Sequence, residues 1–206
     1  MASVISQKLP APSEWGIVGV DEVGRGALAG PVVACAVLMP PDFDTEGIAD
    51  SKVLSERERE LAAERIRKSC RYGISFISQH RIDEINILQA TFEAMREALS
   101  MLEETPLEVL VDGNQVPPNM GAPVRTIIKG DSKEACIAAA SILAKVARDE
   151  FMKGQGMRYP EYGFGRHVGY ASPEHLAAIE KFGPCDLHRM SFSPMRKDPQ
   201  LCLALD

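Results

Sequence analysis

Apolar and β-branched residues in the first half of the chain form short runs that are typical of strands. Residues 15–22 and 32–38 each predict a buried strand, and residues 71–79 alternate in a way that predicts a third. The glycine-rich gap between the first two runs is too short for a crossover helix, so an antiparallel connection is expected. A capping-box pattern that begins at Ser55 predicts a helix to about residue 69.

The second half of the chain continues this alternation of helices and strands. Apolar residues at steps of three and four predict one long amphipathic helix over residues 85–102. Further strands are predicted over residues 107–112 and 124–128. Further helices are predicted over residues 129–151, with an end near Gly154 and Gly156, and over residues 173–182. The pattern therefore predicts an α/β fold: a mixed five-stranded sheet flanked by helices, with a C-terminal helical extension.

Composition places this sheet in one domain of an ordinary globular protein. The chain has 206 residues, of which 45% are hydrophobic and 25% are charged. No apolar run approaches the roughly 20 residues that cross a bilayer, and the N-terminus lacks a secretory pattern. Five cysteines without a CxxC pair indicate reduced thiols. We therefore expect a single domain over residues 1–206, a cytoplasmic location, no contact with a membrane, and no zinc site.

Charge is distributed unevenly along the chain. The net charge of −6 argues against a protein that coats nucleic acid by bulk electrostatics. Residues 153–197 nevertheless hold seven cations against four anions, a local excess of three. This excess has two interpretations: a random fluctuation, or a local phosphate-binding face on the C-terminal segment of about residues 152–206.

Carboxylates stand where strands end or a helix begins. These are Asp21 with its neighbour Glu22, then Asp112, then Asp131. Ligands bind at strand ends in open α/β sheets, and gathered carboxylates suit Mg²⁺. Asp112 is also compatible with a turn and Asp131 with a helix cap. Adjacent residues on a regular strand face opposite ways, so Asp21 and Glu22 share a site only if the strand bends or Glu22 contributes its carbonyl.

The glycine-rich segment after the first strand satisfies a loose GxGxxA pattern. A dinucleotide fingerprint requires a helix there, whereas residues 31–37 predict a strand, so we reject that interpretation. Gly24 and Gly26 would instead let backbone N–H groups approach a phosphate or sugar, with Arg25 beside them.

Six motifs, taken in order, resemble those of ribonuclease HII over residues 16–193, nearly the whole chain. They are DEVGRG (21–26), DSK (50–52), VDG (111–113), KGD (129–131), AAASILAK (138–145) and HVGY (167–170). One departure is that Val53 stands where the family often has a second lysine.

The resemblance implies a ribonuclease H-like fold and two Mg²⁺ or Mn²⁺ ions during catalysis. It implies metal binding by Asp21, Glu22, Asp112 and Asp131. The implied substrate is an RNA–DNA hybrid or a DNA duplex with an embedded ribonucleotide, cut to leave a 5′-phosphate and a 3′-hydroxyl, as in ribonucleotide excision during DNA repair. We expect a monomer.

The resemblance also implies that Gly24, Arg25 and Gly26 read the ribose 2′-hydroxyl together with Tyr170. The residues expected near phosphates are Lys52, Ser141, Lys145 and Arg148. Without the family, Tyr170 would be an aromatic residue that packs over the last helix, and the cations would lie on solvated faces. Two rival functions are a phosphotransferase or nucleotidase and a nucleic-acid-binding module without turnover.

Overall fold

A single mixed sheet forms the centre of the computed structural model, which describes residues 8–196. Its strands are β1 (Ile17–Val23), β2 (Val32–Leu38), β3 (Arg71–Ile77), β4 (Glu108–Asp112) and β5 (Val124–Ile127). Their spatial order is β3-β2-β1-β4-β5. β1 is antiparallel to β2 and parallel to β4, which in turn is parallel to β5. All five predicted strands and the α/β class are confirmed, and the C-terminal ends of β1 and β4 meet at one edge.

Among the described residues, five α-helices surround the sheet. They are α1 (Glu56–Ser69), α2 (Gln79–Ser100), α3 (Ala135–Arg158), α4 (Phe164–His167) and α5 (Pro173–Phe182). The predicted bounds of α1 and α5 are confirmed, because serine side chains cap both N-termini, Ser55 in a complete capping box and Ser172 at α5. α2 begins earlier than predicted and is interrupted at Asn86, which has a φ of 68°.

Both predicted ends of α3 are wrong. Residues Gly130–Ser132 form a separate 3₁₀ turn, so neither Asp131 nor Ser132 caps α3. The helix also continues past Gly154 and Gly156 to Arg158. A Cβ at Gly156 would lie 2.9 Å from the backbone nitrogen of Gly165, so this glycine permits close packing against α4 and does not end the helix.

The two faces of the sheet pack against different helices. Cys35 and Val37 face α1 and α3, whereas Val18 and Val20 face α2. Gly19, between those two valines, faces α3 so closely that a Cβ would lie 2.2 Å from the backbone of that helix. Because side chains alternate along a strand, Asp21 shares the α3 face and Glu22 the α2 face.

The C-terminal segment folds back onto the loop between β1 and β2. Tyr162, Phe164 and Leu187 form a third apolar cluster with Ala29 of that loop. None of the described helices is long and apolar enough to cross a bilayer. Four cysteines are free thiols, and the fifth, Cys202, lies outside the described residues.

Three histidines of this segment form a group, here called the histidine cluster: the buried His175 and His188 and the half-buried His167. The rings of His167 and His175 stack with centroids 4.5 Å apart, and Nε2 of His175 lies 3.1 Å from Nε2 of His188. Burial lowers the pKa of all three, and that of His175 falls to about 4. The cluster therefore favours neutral imidazoles.

Candidate active site

Three aspartates come together at the edge where β1 and β4 end. Asp21 is buried in β1, Asp112 is the last residue of β4, and Asp131 lies in the 3₁₀ turn. Oδ1 of Asp112 accepts a hydrogen bond of 2.6 Å from the Gly130 N–H, which holds that turn against the strand. Residues far apart in sequence thus present carboxylates to one place, as their positions at element ends predict.

The electrostatics of these aspartates reflect burial and crowding. Burial raises the pKa of Asp21, and the charges of Glu22 and Asp112 raise it further. Burial also raises the pKa of Asp131, again with the charge of Asp112 among the causes. Ionised carboxylates at this edge therefore repel one another, and a bound cation would relieve that repulsion.

Asp21 forms hydrogen bonds with its own strand and with Ser141 of α3. Its Oδ1 accepts a hydrogen bond of 2.8 Å from the Glu22 N–H, and a hydrogen bond from the Ser141 side chain lowers its pKa. The Ser141 hydroxyl also lies 3.0 Å from that of Ser51 and is buried. The Ser141 hydroxyl is therefore enclosed between Asp21 and Ser51, beside the proposed metal ligand, and its contact with a phosphate stays a prediction.

Glu22 projects from the opposite face of the sheet, as strand alternation requires. Nη1 of Arg25 lies 3.3 Å from its Oε1, and burial raises the pKa of Glu22 while Arg25 lowers it. Glu22 and Asp112 both line a cavity of about 140 Å³ that also includes Phe92 and Asn114. Asp112 therefore lies between Asp21 on one side and Glu22 on the other.

Lys52 reaches the aspartates from the loop that precedes α1. Its Nζ lies 3.4 Å from Oδ2 of Asp131 and 4.0 Å from Oδ1 of Asp50. Burial lowers the pKa of Lys52, but the charges of Asp50 and Asp131 outweigh that effect and raise it. Most of the side chain is exposed, so it is free to move towards another anion.

The donor set suits a hard divalent cation. Within residues 8–196, no three histidine, cysteine or carboxylate side chains already converge as metal ligands. The carboxylates instead bind internal partners, namely the Gly130 N–H, Lys52 and Arg25. Oxygen-only donors with several negative charges are nevertheless what Mg²⁺ and Mn²⁺ prefer. The residues therefore fit such an ion once these internal partners are displaced.

The loop between β1 and β2 lies directly on two buried arginines. Gly24 has a φ of 92°, and a Cβ there would lie 2.2 Å from Nε of Arg148. Arg148 donates hydrogen bonds to the carbonyls of Pro31, Ala29 and Val168. Arg189 donates to the carbonyls of Gly24, Arg25 and Gly30. Each guanidinium is thus bound to three carbonyl groups.

This arrangement corrects two expectations about phosphate binding. Arg148 and Arg189 are both 0% exposed, so neither presents its charge to a phosphate on the surface. Arg189 was one of the cations that gave the C-terminal segment its local excess. Two others, Lys153 and Arg166, contact Glu56 and Glu174, and Lys197 lies outside the described residues. The positive face suggested by residues 153–197 is thus weakened.

Tyr170 lies next to the same loop. Its ring is half-buried and has the Arg148 guanidinium carbon 5.4 Å from its centroid. The preceding residue, Gly169, accepts a hydrogen bond of 2.8 Å from the Leu28 N–H. The structure therefore brings Tyr170 close to residues 24–26 (Gly-Arg-Gly), here called the GRG segment. Lys145, by contrast, is bound at 2.9 Å to Asp149 of its own helix.

A family model, a related sequence and a solved structure that match this chain all carry the description ribonuclease HII. The family model described as Ribonuclease HII matches residues 18–195. The ribonuclease HII of Maricaulis maris (strain MCS10) is 51% identical over 180 residues, which cover 87% of this chain and 83% of that protein. The PCNA:RNase HII complex from Archaeoglobus fulgidus contains a chain that is 28% identical, with a TM-score of 0.74 over 89% of this chain and 98% of that one.

A more distant structure shares the fold alone. Bst-RNase HIII, solved in complex with Mn²⁺, is 18% identical, with a TM-score of 0.70 over 93% of this chain and 71% of that chain.

Proposed function

Because this chain belongs to the ribonuclease HII family and is a ribonuclease H, we propose that it hydrolyses the RNA strand of RNA–DNA hybrids and cuts at single ribonucleotides embedded in duplex DNA. The observation that carries this proposal is the meeting of Asp21, Asp112 and Asp131 at one sheet edge. The GRG segment and Tyr170 lie close to that edge. The reaction is phosphodiester hydrolysis that leaves a 5′-phosphate and a 3′-hydroxyl.

The proposed metal ligands are Asp21, Glu22, Asp112 and Asp131. The Glu22 side chain, on the opposite face of β1 from Asp21, reaches the site from the cavity that it lines together with Asp112. Two divalent ions, Mg²⁺ or Mn²⁺, supply the activation of water and the stabilisation of the departing 3′ oxygen when bound. Asp21 would be the ligand between the two ions, and its carboxylate is oriented by the Glu22 N–H and by Ser141. The Mn²⁺ complex of Bst-RNase HIII, a protein of the same fold, is consistent with this choice of ion.

Substrate recognition is assigned to residues around these carboxylates. The N–H groups of the segment Gly24, Arg25 and Gly26 bind the ribose 2′-hydroxyl, the group that distinguishes RNA from DNA. The ring of Tyr170 stacks on the adjoining sugar, so the C-terminal segment contributes to binding. Lys52 moves from Asp131 to a substrate phosphate, and Lys145 remains a candidate for a second phosphate contact. One chain supplies all of these residues, which supports action as a monomer.

The decisive experiment is cleavage of a DNA duplex that carries one ribonucleotide, with Mg²⁺ and Mn²⁺ compared. We expect cutting at the ribonucleotide, a 5′-phosphate on the product, no cutting of the all-DNA duplex, and complete inhibition by EDTA. Cutting that persists in EDTA would contradict the metal mechanism. Turnover of small phosphate esters with an intact duplex would favour a nucleotidase, and duplex binding without any cutting would favour a binding module.

A further inference from the structure

Arg189 holds one side of the loop that lies beside the proposed metal site. Its Nη2 donates to the Gly24 carbonyl at 2.7 Å, its Nη1 to the Arg25 carbonyl at 2.8 Å, and its Nε to the Gly30 carbonyl at 3.0 Å. The planar guanidinium offers donors in a fixed fork, so three carbonyls bound at once define the orientation of the loop.

These bonds fix the direction of two N–H groups. In a trans peptide the C=O and N–H of one unit point opposite ways. The units joining Gly24 to Arg25 and Arg25 to Gly26 are trans, and their carbonyls point inward at Arg189. The N–H groups of Arg25 and Gly26 therefore point outward. Both residues are exposed, and within residues 8–196 neither N–H donates to a protein acceptor.

Arg148 holds the other side of the loop. It donates to the carbonyls of Ala29 and Pro31 at 3.1 and 2.9 Å, and its Nε occupies the space where a Cβ of Gly24 would lie. A third bond, to the Val168 carbonyl, links this support to the segment that carries Tyr170. The loop and Tyr170 are thus positioned by the same guanidinium.

Burial of these two cations is unfavourable for folding by itself. Neither arginine forms an ion pair with a carboxylate of the described chain. Burial lowers the pKa of both, the charge of Arg148 lowers that of Arg189 further, and the more distant charges of Asp83 and Asp149 offset these effects only in part. Removing charged groups from water without an opposite charge destabilises a protein even when hydrogen bonds are made. The presence of two buried arginines is therefore better explained by the loop geometry that they create than by a gain in stability.

We infer that Arg189 and Arg148 are positioning residues for 2′-hydroxyl discrimination: they orient the peptide units of the GRG segment so that the N–H groups of Arg25 and Gly26 face the ribose. The inference rests on the proposed function, in which this segment reads the 2′-hydroxyl. Neither arginine touches the substrate.

The test compares two affinities of one protein. In an Asp112→Asn background, which suppresses cutting, the Kd for an all-DNA duplex is divided by the Kd for the same duplex with one ribonucleotide, both in Mg²⁺. Partial unfolding weakens both affinities equally, so the ratio reports loop geometry and not stability. Arg189→Lys keeps the charge, but a compact ammonium group cannot reproduce the planar fork that reaches three separate carbonyls. Arg65→Lys is the matched control, because Arg65 also binds two loop carbonyls, those of Asp44 and Glu46, in another part of the molecule.

We expect Arg189→Lys to lower the ratio about tenfold, the effect of roughly one hydrogen bond, while Arg65→Lys leaves it unchanged. If Arg189→Lys cannot be purified, Arg148→Lys should change the ratio in the same direction. An unchanged ratio in a protein that still prefers the ribonucleotide would overturn the inference and leave the proposed function intact. The absence of any preference in the Asp112→Asn protein alone would overturn both.

Discussion

Nζ of Lys52 lies 3.4 Å from Oδ2 of Asp131, so a largely exposed lysine neutralises a proposed metal ligand. A divalent ion at Asp131 must compete with this ammonium group. Lys52→Met should therefore bind Mg²⁺ at least as tightly as the wild type, by isothermal titration calorimetry, while its KM for the duplex rises several-fold because a phosphate contact is lost. Lys68→Met, a change at an exposed lysine of α1, should alter neither value. Weaker Mg²⁺ binding by Lys52→Met would mean that Lys52 supports the ion and does not compete with it.

Removal of a carboxylate should separate catalysis from stability. Asp21→Asn and Asp112→Asn should each lower kcat by about a thousandfold or more, since each loses a ligand of ions that contribute several kcal/mol to the transition state. Because burial raises the pKa of Asp21, its ionised form opposes folding, and Asp21→Asn should raise Tm in the absence of metal. Asp42→Asn, at an exposed carboxylate, serves as the control for both measurements. Near-normal cutting by Asp21→Asn would disprove the metal mechanism.

Tyr170 should matter for cleavage more than for stability. Tyr170→Ala removes the ring proposed to stack on the sugar and should reduce kcat/KM at an embedded ribonucleotide at least about tenfold, comparable to the loss of one stacked base. Tyr170→Phe should remain largely active, because the ring is used and the hydroxyl is not. Tyr72→Ala, on the edge strand β3, controls for loss of an exposed aromatic residue. If Tyr170→Ala unfolds the protein at assay temperature, Tyr170 belongs to the core.

The histidine cluster should make the protein sensitive to acid. The folded-state pKa of His175 is about 4, below its ordinary value of about 6.5. Between these values the unfolded chain takes up a proton and the folded one does not, so stability is complete above about pH 6.5 and falls as the pH drops towards 4. The loss should be roughly 2 kcal/mol, or a Tm lower by about 4–8 °C.

Carboxylates titrate over the same range, so the comparison is between variants. His175→Asn, which keeps a donor for the Tyr170 carbonyl, should show a shallower decline of Tm from pH 6.5 to 4 than the wild type. His80→Asn, at an exposed position, should show the wild-type decline. Identical slopes for all three proteins would exclude the cluster as the cause.

The sequence predicted those parts of the molecule whose signal is local. The pattern of residues 15–22 correctly places Asp21 and Glu22 near the C-terminal end of β1, and the capping box at Ser55 correctly places the start of α1. The start of α3 was misplaced because the tertiary bond from the Gly130 N–H to Asp112 holds the preceding residues in a separate turn. Periodicity carries no information about such a bond.

The buried arginines show what sequence reasoning misses. The resemblance implies a phosphate contact for Arg148, and Arg189 is one of the seven cations of residues 153–197, for which a phosphate-binding face is one of two interpretations. Arginine is rarely buried without a charged partner, so the sequence does not suggest that either lies beneath a loop. Their partners are carbonyl groups 117 residues away, at Pro31, and 165 residues away, at Gly24. A local sequence pattern cannot identify such partners, because every residue has a backbone carbonyl and nothing in the sequence marks which ones an arginine will bind. Only the close approach required at Gly24 hints that something bulky lies beneath the loop.

β1 is bonded to a neighbouring strand along both edges, whereas Asp131 stands on a three-residue turn. Amide hydrogen exchange should reflect this difference: the amides of β1 exchange only when the whole protein opens, and those of residues 130–132 exchange through local opening. Mg²⁺ bound at the site should slow exchange in the turn by suppressing its local opening, and should slow exchange in β1 only by as much as it raises the free energy of unfolding. One wall of the proposed metal site is rigid and the other is compliant, so ions of different radius can be accommodated by adjusting the turn alone.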